Sequence, residues 1–175
     1  NGMDVDRLIT HQVLSMRTLL VDSAQLDASL DKTLPDTPSQ PRALPPAALL
    51  ALRFTVEVDT LAVREANVRY RERDATTGRW GQLPFTHMHA RFAHVSNTVD
   101  TRAAPVPLTG TFSGMLFDSA AFSGTYDAEL GGSQGFTFTA RVRELPCLQL
   151  DQATRPLLRM VVEDGQLHQL DLRIV

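Results

Sequence analysis

The stretch Phe54-Thr55-Val56-Glu57-Val58-Asp59 indicates the fold class, because apolar and polar residues alternate along it with a period of two. Such alternation puts every second side chain on the same face of a strand, as in a half-buried β-strand. Similar segments recur roughly every 10 to 20 residues through most of the chain. We therefore predict a mainly β fold: an antiparallel sheet of about ten strands, shaped as a curved groove or a sandwich, with one or two short helices.

A polar, proline-rich connection at 33–45 interrupts the alternation, because proline cannot donate a hydrogen bond to a strand ladder. Two segments precede this connection. Residues 1–13 have a helical pattern, and residues 14–32 are predicted to form a first hairpin. The main antiparallel β domain is predicted at 46–175, and its first residues continue a short helix that begins with Pro45-Pro46. The whole chain is predicted to form one domain.

An internal repeat links the first hairpin to the main domain. Residues 18–26 (TLLVDSAQL) match residues 60–68 (TLAVREANV) at a constant offset of 60 − 18 = 42, and residues 162–167 (VEDGQL) form a shorter third copy. Each copy has an apolar strand, two polar residues, a small residue and a second strand. This layout predicts a tight hairpin in each copy, and the recurrence predicts a piece cut from a longer β array.

The charge balance argues against nucleic acid as a partner. The 175 residues include 17 basic and 20 acidic ones, and the net charge is −3. A nucleic-acid-binding domain usually carries a basic surplus. The single cysteine, Cys147, cannot form an internal disulfide. The longest apolar stretch, at 44–52, is far shorter than the roughly 20 residues that span a bilayer.

The run at 44–61 (LPPAALLALRFTVEVDTL), followed by 65–72 (EANVRYRE), resembles the AsmA-like proteins of the Gram-negative envelope, a group that includes TamB. The resemblance is one of pattern and extends over most of residues 14–175. It contains no catalytic motif. The chain departs from the family pattern at 145–148 (LPCL), where an asparagine usually follows the preceding strand.

The resemblance implies a long, groove-shaped sheet with an apolar concave face. It also implies a periplasmic location, with the full-length protein anchored in the inner membrane by a segment outside these residues. The expected function is that of a non-enzymatic envelope module, structural or lipid-guiding, in outer-membrane homeostasis. Its expected partners are phospholipid acyl chains, and no cofactor is expected. The oligomeric state is left open.

A row of apolar residues on the predicted strands would face either lipid or a protein core. If the sheet closes on itself, the alternative function is a β-sandwich module that binds a protein or a glycan. The row consists of Phe54, Val56, Val58, Val68, Tyr70, Met88, Phe92, Phe112, Phe122, Tyr126, Phe136 and Phe138.

Two histidines, His87 and His89, are the weak candidates for metal ligands. Residues two apart share one face of a strand, so both imidazoles could reach one ion, whereas His94 falls on the opposite parity. A metal-dependent enzyme at this strand is the third hypothesis, behind the two binding modules. We predict no catalytic residue and no metal site, and we expect the histidines to face solvent.

An arginine row, Arg69, Arg71 and Arg73, lies opposite Val68 and Tyr70 on its predicted strand. One hypothesis is that this row contacts lipid phosphates. The favoured one is that it pairs across the hairpin with acids such as Glu57 and Asp59.

Overall fold

The computed structural model describes residues 12–34, 49–98, 106–129 and 135–175. Its eight strands are β1 (Val13–Asp22), β2 (Gln25–Asp31), β3 (Thr55–Arg73), β4 (Trp80–Ser96), β5 (Leu108–Leu116), β6 (Ala120–Ala128), β7 (Phe136–Pro146) and β8 (Gln166–Ile174). Between β7 and β8, a 3-10 turn (Cys147–Leu150) continues into helix α1 (Asp151–Leu158). Leu49 and Leu50 are also helical. Most of the predicted N-terminal segment and proline-rich connection lies outside the described residues.

The strands form one open sheet. β3 to β8 follow one another in chain order as antiparallel neighbours, while β1 and β2 both pair with the outer side of β3. The prediction of a mainly β and mostly antiparallel fold is confirmed. The described residues form eight strands rather than about ten, and the pairings of β1 and β2 with β3 are parallel.

The predicted hairpin at 14–32 is wrong, because β1 and β2 run in the same direction along β3 and pair with it instead of with each other. The hairpins predicted from the other two copies are also wrong, because residues 60–68 lie within the single strand β3 and no strand precedes β8 at 159–165. The register runs from Val13 opposite Thr55 to Asp31 opposite Arg73, and every pair is 42 residues apart. This separation equals the offset of the sequence repeat. At this register, the two copies have matching alternation, so their apolar residues lie on the same face of the sheet.

A row of left-handed backbone residues crosses the first strands of the sheet. Ser23 (φ 54°) separates β1 from β2, Glu65 (φ 48°) interrupts β3, and His87 (φ 48°) interrupts β4. The β3–β4 register shifts at the same place, as in a β-bulge. Each bulge reverses the alternation, so Val63 and Ala66 point to the same face although they are three residues apart.

Two apolar clusters pack on one face of the sheet. The first consists of Leu116, Phe117, Ala120, Phe122 and Leu145, and is flanked by Leu150 of the 3-10 turn and Leu167 of β8. The second consists of Leu108, Tyr126 and Ala128, and is flanked by Leu49, Phe92, Val95, Phe136 and Phe138. The strands β5 and β6 contribute to both clusters, so a single sheet joins them.

Candidate functional site

One face of the sheet, called the apolar face below, carries every residue of the predicted apolar row except Phe54. The strand register shows this directly, because Phe92, Gly110, Tyr126 and Phe138 lie opposite one another across β4 to β7. Phe54 precedes β3 and is exposed. The apolar face thus includes Val56, Val58, Val68, Tyr70, Met88, Phe92, Phe112, Phe122, Tyr126, Phe136 and Phe138.

Glycines on the apolar face leave room for phenylalanine rings of the neighbouring strands. The ring of Phe92 covers Gly110, and the ring of Phe112 covers Gly124. Phe112 also stacks on Phe138 of β7, with ring centroids 5.2 Å apart and planes 10° from parallel. Sequence reasoning missed this role of glycine, because a glycine and the ring above it belong to different strands.

The described residues cover the apolar face mainly at its ends. Leu157 of α1 rests on Gly81, and Leu49 flanks the second cluster. Between them, the rings of Phe92, Phe112 and Phe138 are only partly buried. Rings in the core of a closed domain are usually buried more completely. The apolar face therefore has room for a further apolar group.

The face is also accessible along both edges of the sheet. Leu26 of β2 is 58% exposed at one edge, and Leu172 of β8 is 47% exposed at the other. Register places both side chains on the apolar face, since Leu26 lies opposite Val68 and Leu172 lies opposite Ala140, next to Gly124. Exposed aliphatic side chains continuous with an aromatic surface are typical of binding surfaces.

Tyr126 is the one phenol of the second cluster. Burial raises the pKa of its hydroxyl, because the charged form would lose hydration. The oxygen has no hydrogen-bond partner among the described residues. The phenol therefore stays neutral at physiological pH, and its oxygen is buried within the second cluster.

The opposite face carries the two histidines, which lie against one carboxylate of the bulge row. The two Glu65 oxygens lie 2.9 Å from His87 Nδ1 and 2.9 Å from His89 Nε2. The hydrogen bond with His87 lowers the pKa of Glu65 and raises the pKa of His87. All three side chains are more than half exposed, and no group of three potential ligands that could hold a metal ion occurs in the described part of the chain.

Two members of the arginine row, Arg69 and Arg73, pair with acids, but not with the predicted ones. Arg69 Nε lies 3.3 Å from Asp27 Oδ1, and Arg73 Nη1 lies 3.2 Å from Asp31 Oδ2. Both acids belong to β2, whose parallel register puts them directly opposite these arginines. The guanidinium of Arg71 lies over the ring of Trp80, 5.7 Å from its centroid. Sequence reasoning chose the wrong acids because it assumed a hairpin.

No helix in the described ranges is both long enough and apolar enough to cross a membrane. The chain matches no protein-family model, no curated protein and no solved structure. The resemblance to the AsmA-like proteins therefore remains a prediction.

Proposed function

We propose that this chain is a non-enzymatic module that binds the acyl chains of phospholipids on its apolar face. The observation that carries the proposal is the set of partly buried rings of Phe92, Phe112 and Phe138 between the two covered ends. These rings offer no charge and no hydrogen-bonding group, so an aliphatic chain is the ligand that they suit.

The dimensions of the sheet support the same ligand. Neighbouring strands lie about 4.8 Å apart, so the four spacings from β4 to β8 make this part of the sheet about 19 Å wide. One acyl chain extends over half of a hydrocarbon core of about 30 Å, or about 15 Å. Burial of each methylene contributes about 0.8 kcal/mol, so even a partly covered chain would bind. In the proposed complex, the sheet curves as a groove around the acyl chain.

The resemblance to AsmA-like proteins supports the biological setting of this proposal. In that setting, the module lies in the periplasm of a protein anchored in the inner membrane, and it guides or scaffolds lipid for outer-membrane homeostasis. The alternative, a β-sandwich that binds a protein or a glycan, needs a second sheet over the apolar face. The described strands all belong to one sheet, which favours the lipid-binding module.

Lipid retention and displacement test the proposal. We expect the purified chain to bind a fluorescent fatty acid, to release it to added phospholipid, and to carry phospholipid in native mass spectrometry. Phe112→Asp should weaken binding at least tenfold, because it puts a charge on the apolar face. Thr111→Asp is the matched control, since Thr111 is the preceding residue of β5 and is exposed on the opposite face.

Leu26→Asp tests the same surface without a buried charge, because this side chain is 58% exposed at the edge. It should weaken binding while the circular dichroism spectrum is unchanged. Absence of binding to the unmodified chain would overturn the proposal. An equal loss of binding in Thr111→Asp and Phe112→Asp would also overturn it.

A further inference from the structure

The outer edge of β8 is a free strand edge among the described strands. β8 pairs with β7 on one side, and no other described strand pairs with it. The β7–β8 ladder is interrupted at Glu144, which is left-handed (φ 52°), but it runs without a break from Arg143 opposite Gln169 to Phe138 opposite Ile174, and no residue of β8 has a positive φ. Proteins commonly protect such edges with proline, a bulge or a covering segment. β8 contains no proline, and its residues 169–174 pair with β7 without a break. Along these residues, the outer backbone donors and acceptors pair with no other described strand.

The side chains of β8 are suited to pairing with a strand that is apolar on one face and charged on the other. On the apolar face, Leu170, Leu172 and Ile174 are 48%, 47% and 44% exposed. On the opposite face, Asp171 accepts a hydrogen bond of 2.6 Å from Arg141 Nε. Arg173, two residues further along, has no ion-pair partner among the described residues.

We infer that a second copy of this chain pairs with β8 as an antiparallel strand, with the two-fold axis at Leu172. Asp171 of each copy then faces Arg173 of the other, and Leu170 of each copy faces Ile174 of the other. Both ion pairs form at once, because a two-fold axis produces every contact twice. Each Asp171 lies between Arg141 of its own chain and Arg173 of the second copy, so the isolated arginine gains a partner.

Charge excludes the neighbouring registers. A two-fold axis at Asp171 would put this carboxylate opposite itself, and an axis at Arg173 would put two guanidinium groups opposite each other. Like charges that face each other directly across two strands are destabilising. The axis at Leu172 avoids both conflicts and joins the apolar rows of the two copies on one face.

The pairing makes the two apolar faces continuous across the dimer. It uses the edge of the sheet and does not depend on lipid binding. The dimer is inferred from β8 alone, so a monomeric variant that still binds fatty acid would leave the proposed function intact.

Disulfide trapping in the full chain tests the register. With Cys147 replaced by serine, Leu172→Cys should form a disulfide-linked dimer under mild oxidation. Residues opposite each other in antiparallel strands have Cα atoms about 4.5 to 5.5 Å apart, within the range that a disulfide bridges. Gln169→Cys in the same background is the matched control. Residue 169 would face residue 175 of the second copy, far from its own counterpart.

Sedimentation equilibrium tests the ion pairs. Arg173→Asp should weaken the dimer about tenfold or more, because two attractive pairs become two repulsive ones. Arg91→Asp makes the same charge change at an exposed position of β4, four strands away from β8, and should leave the dimer unchanged. A chain that is monomeric at all concentrations would overturn the inference. Equal trapping at residues 169 and 172, or equal weakening by the two aspartate variants, would also overturn it.

Discussion

At the scale of single residues, the apolar face depends on glycines that accept rings from neighbouring strands. A Cβ atom added at Gly124 would collide with the carbonyl oxygen of Thr139 and with the ring of Phe112. Gly124→Ala should therefore lower the free energy of unfolding by about 2 kcal/mol, because the ring and the backbone must both move. Urea unfolding measures this change. Ser123→Ala, on the opposite face of the same strand, should stay within about 0.5 kcal/mol, and an equal loss in both would contradict the packing role of Gly124.

The contact between Glu65 and His87 makes the stability of the fold depend on pH. Because the pKa of His87 is raised above 6.5, its contribution is complete below that value and is lost as the pH rises through the raised pKa. Because the pKa of Glu65 is lowered from 4.5, its contribution is present above 4.5 and is lost as the pH falls through the lowered pKa. The contact therefore stabilises the fold most between pH 4.5 and pH 6.5.

We expect His87→Asn to reduce the fall in melting temperature between about pH 6 and about pH 8. Asparagine tolerates the left-handed backbone at this position, so the change removes the imidazole without adding strain. His94→Asn is the control, since His94 is also exposed and left-handed (φ 59°). An NMR titration should show the His87 pKa above 6.5 and its return toward 6.5 in Glu65→Gln. A titration that is unchanged in Glu65→Gln would contradict the contact.

At the scale of elements, two arginines of β3 face acids of β2 in very different surroundings. Arg69 and Asp27 are both more than half exposed. Arg73 donates to Asp31 and to the carbonyl oxygen of Gly78, and its guanidinium lies 5.8 Å from the Trp80 ring centroid. We expect Arg73→Ala to lower the free energy of unfolding by about 1 to 2 kcal/mol, and Arg69→Ala by less than about 0.5 kcal/mol. Denaturant titrations measure both, and equal losses would show that the surroundings of Arg73 add nothing.

The pairing of β1 and β2 shows what the sequence could predict about these elements. Alternation in residues 14–31 and 55–73 correctly predicted strands, and the 42-residue repeat matched the spacing of the paired positions. Alternation is the same for parallel and antiparallel neighbours, so it did not reveal the direction of pairing. The bulges at Ser23, Glu65 and His87 carried no glycine to mark them. The contact between Glu65 and His87 was missed because it depends on those bulges.

At the scale of the whole molecule, one sheet holds two separate apolar clusters. The predicted apolar row was placed on one face, apart from Phe54, because side-chain parity follows directly from sequence between bulges. The cover of that face could not be predicted in the same way. It depends on where the 3-10 turn and α1 return to the sheet, and a contact such as Leu157 on Gly81 has no periodic signal.

The shared sheet predicts that the two clusters unfold together. Leu145 is the largest side chain that is almost fully buried, and it belongs to the first cluster. Leu145→Ala should lower the free energy of unfolding by about 3 kcal/mol, because it leaves a cavity that the neighbouring strands close only partly. β5 and β6 pair continuously from one cluster to the other, so loss of the first cluster removes hydrogen-bonded neighbours from the second.

Two signals measure whether the clusters unfold together: the fluorescence of Trp80, the single tryptophan, and the far-ultraviolet circular dichroism of the whole sheet. In Leu145→Ala, both signals should shift to the same lower urea midpoint. Val56→Ala, at the far end of β3 from Trp80, is the matched variant, and it too should move both signals together. A fluorescence midpoint that falls in Leu145→Ala while the circular dichroism midpoint stays in place would show that the clusters unfold independently.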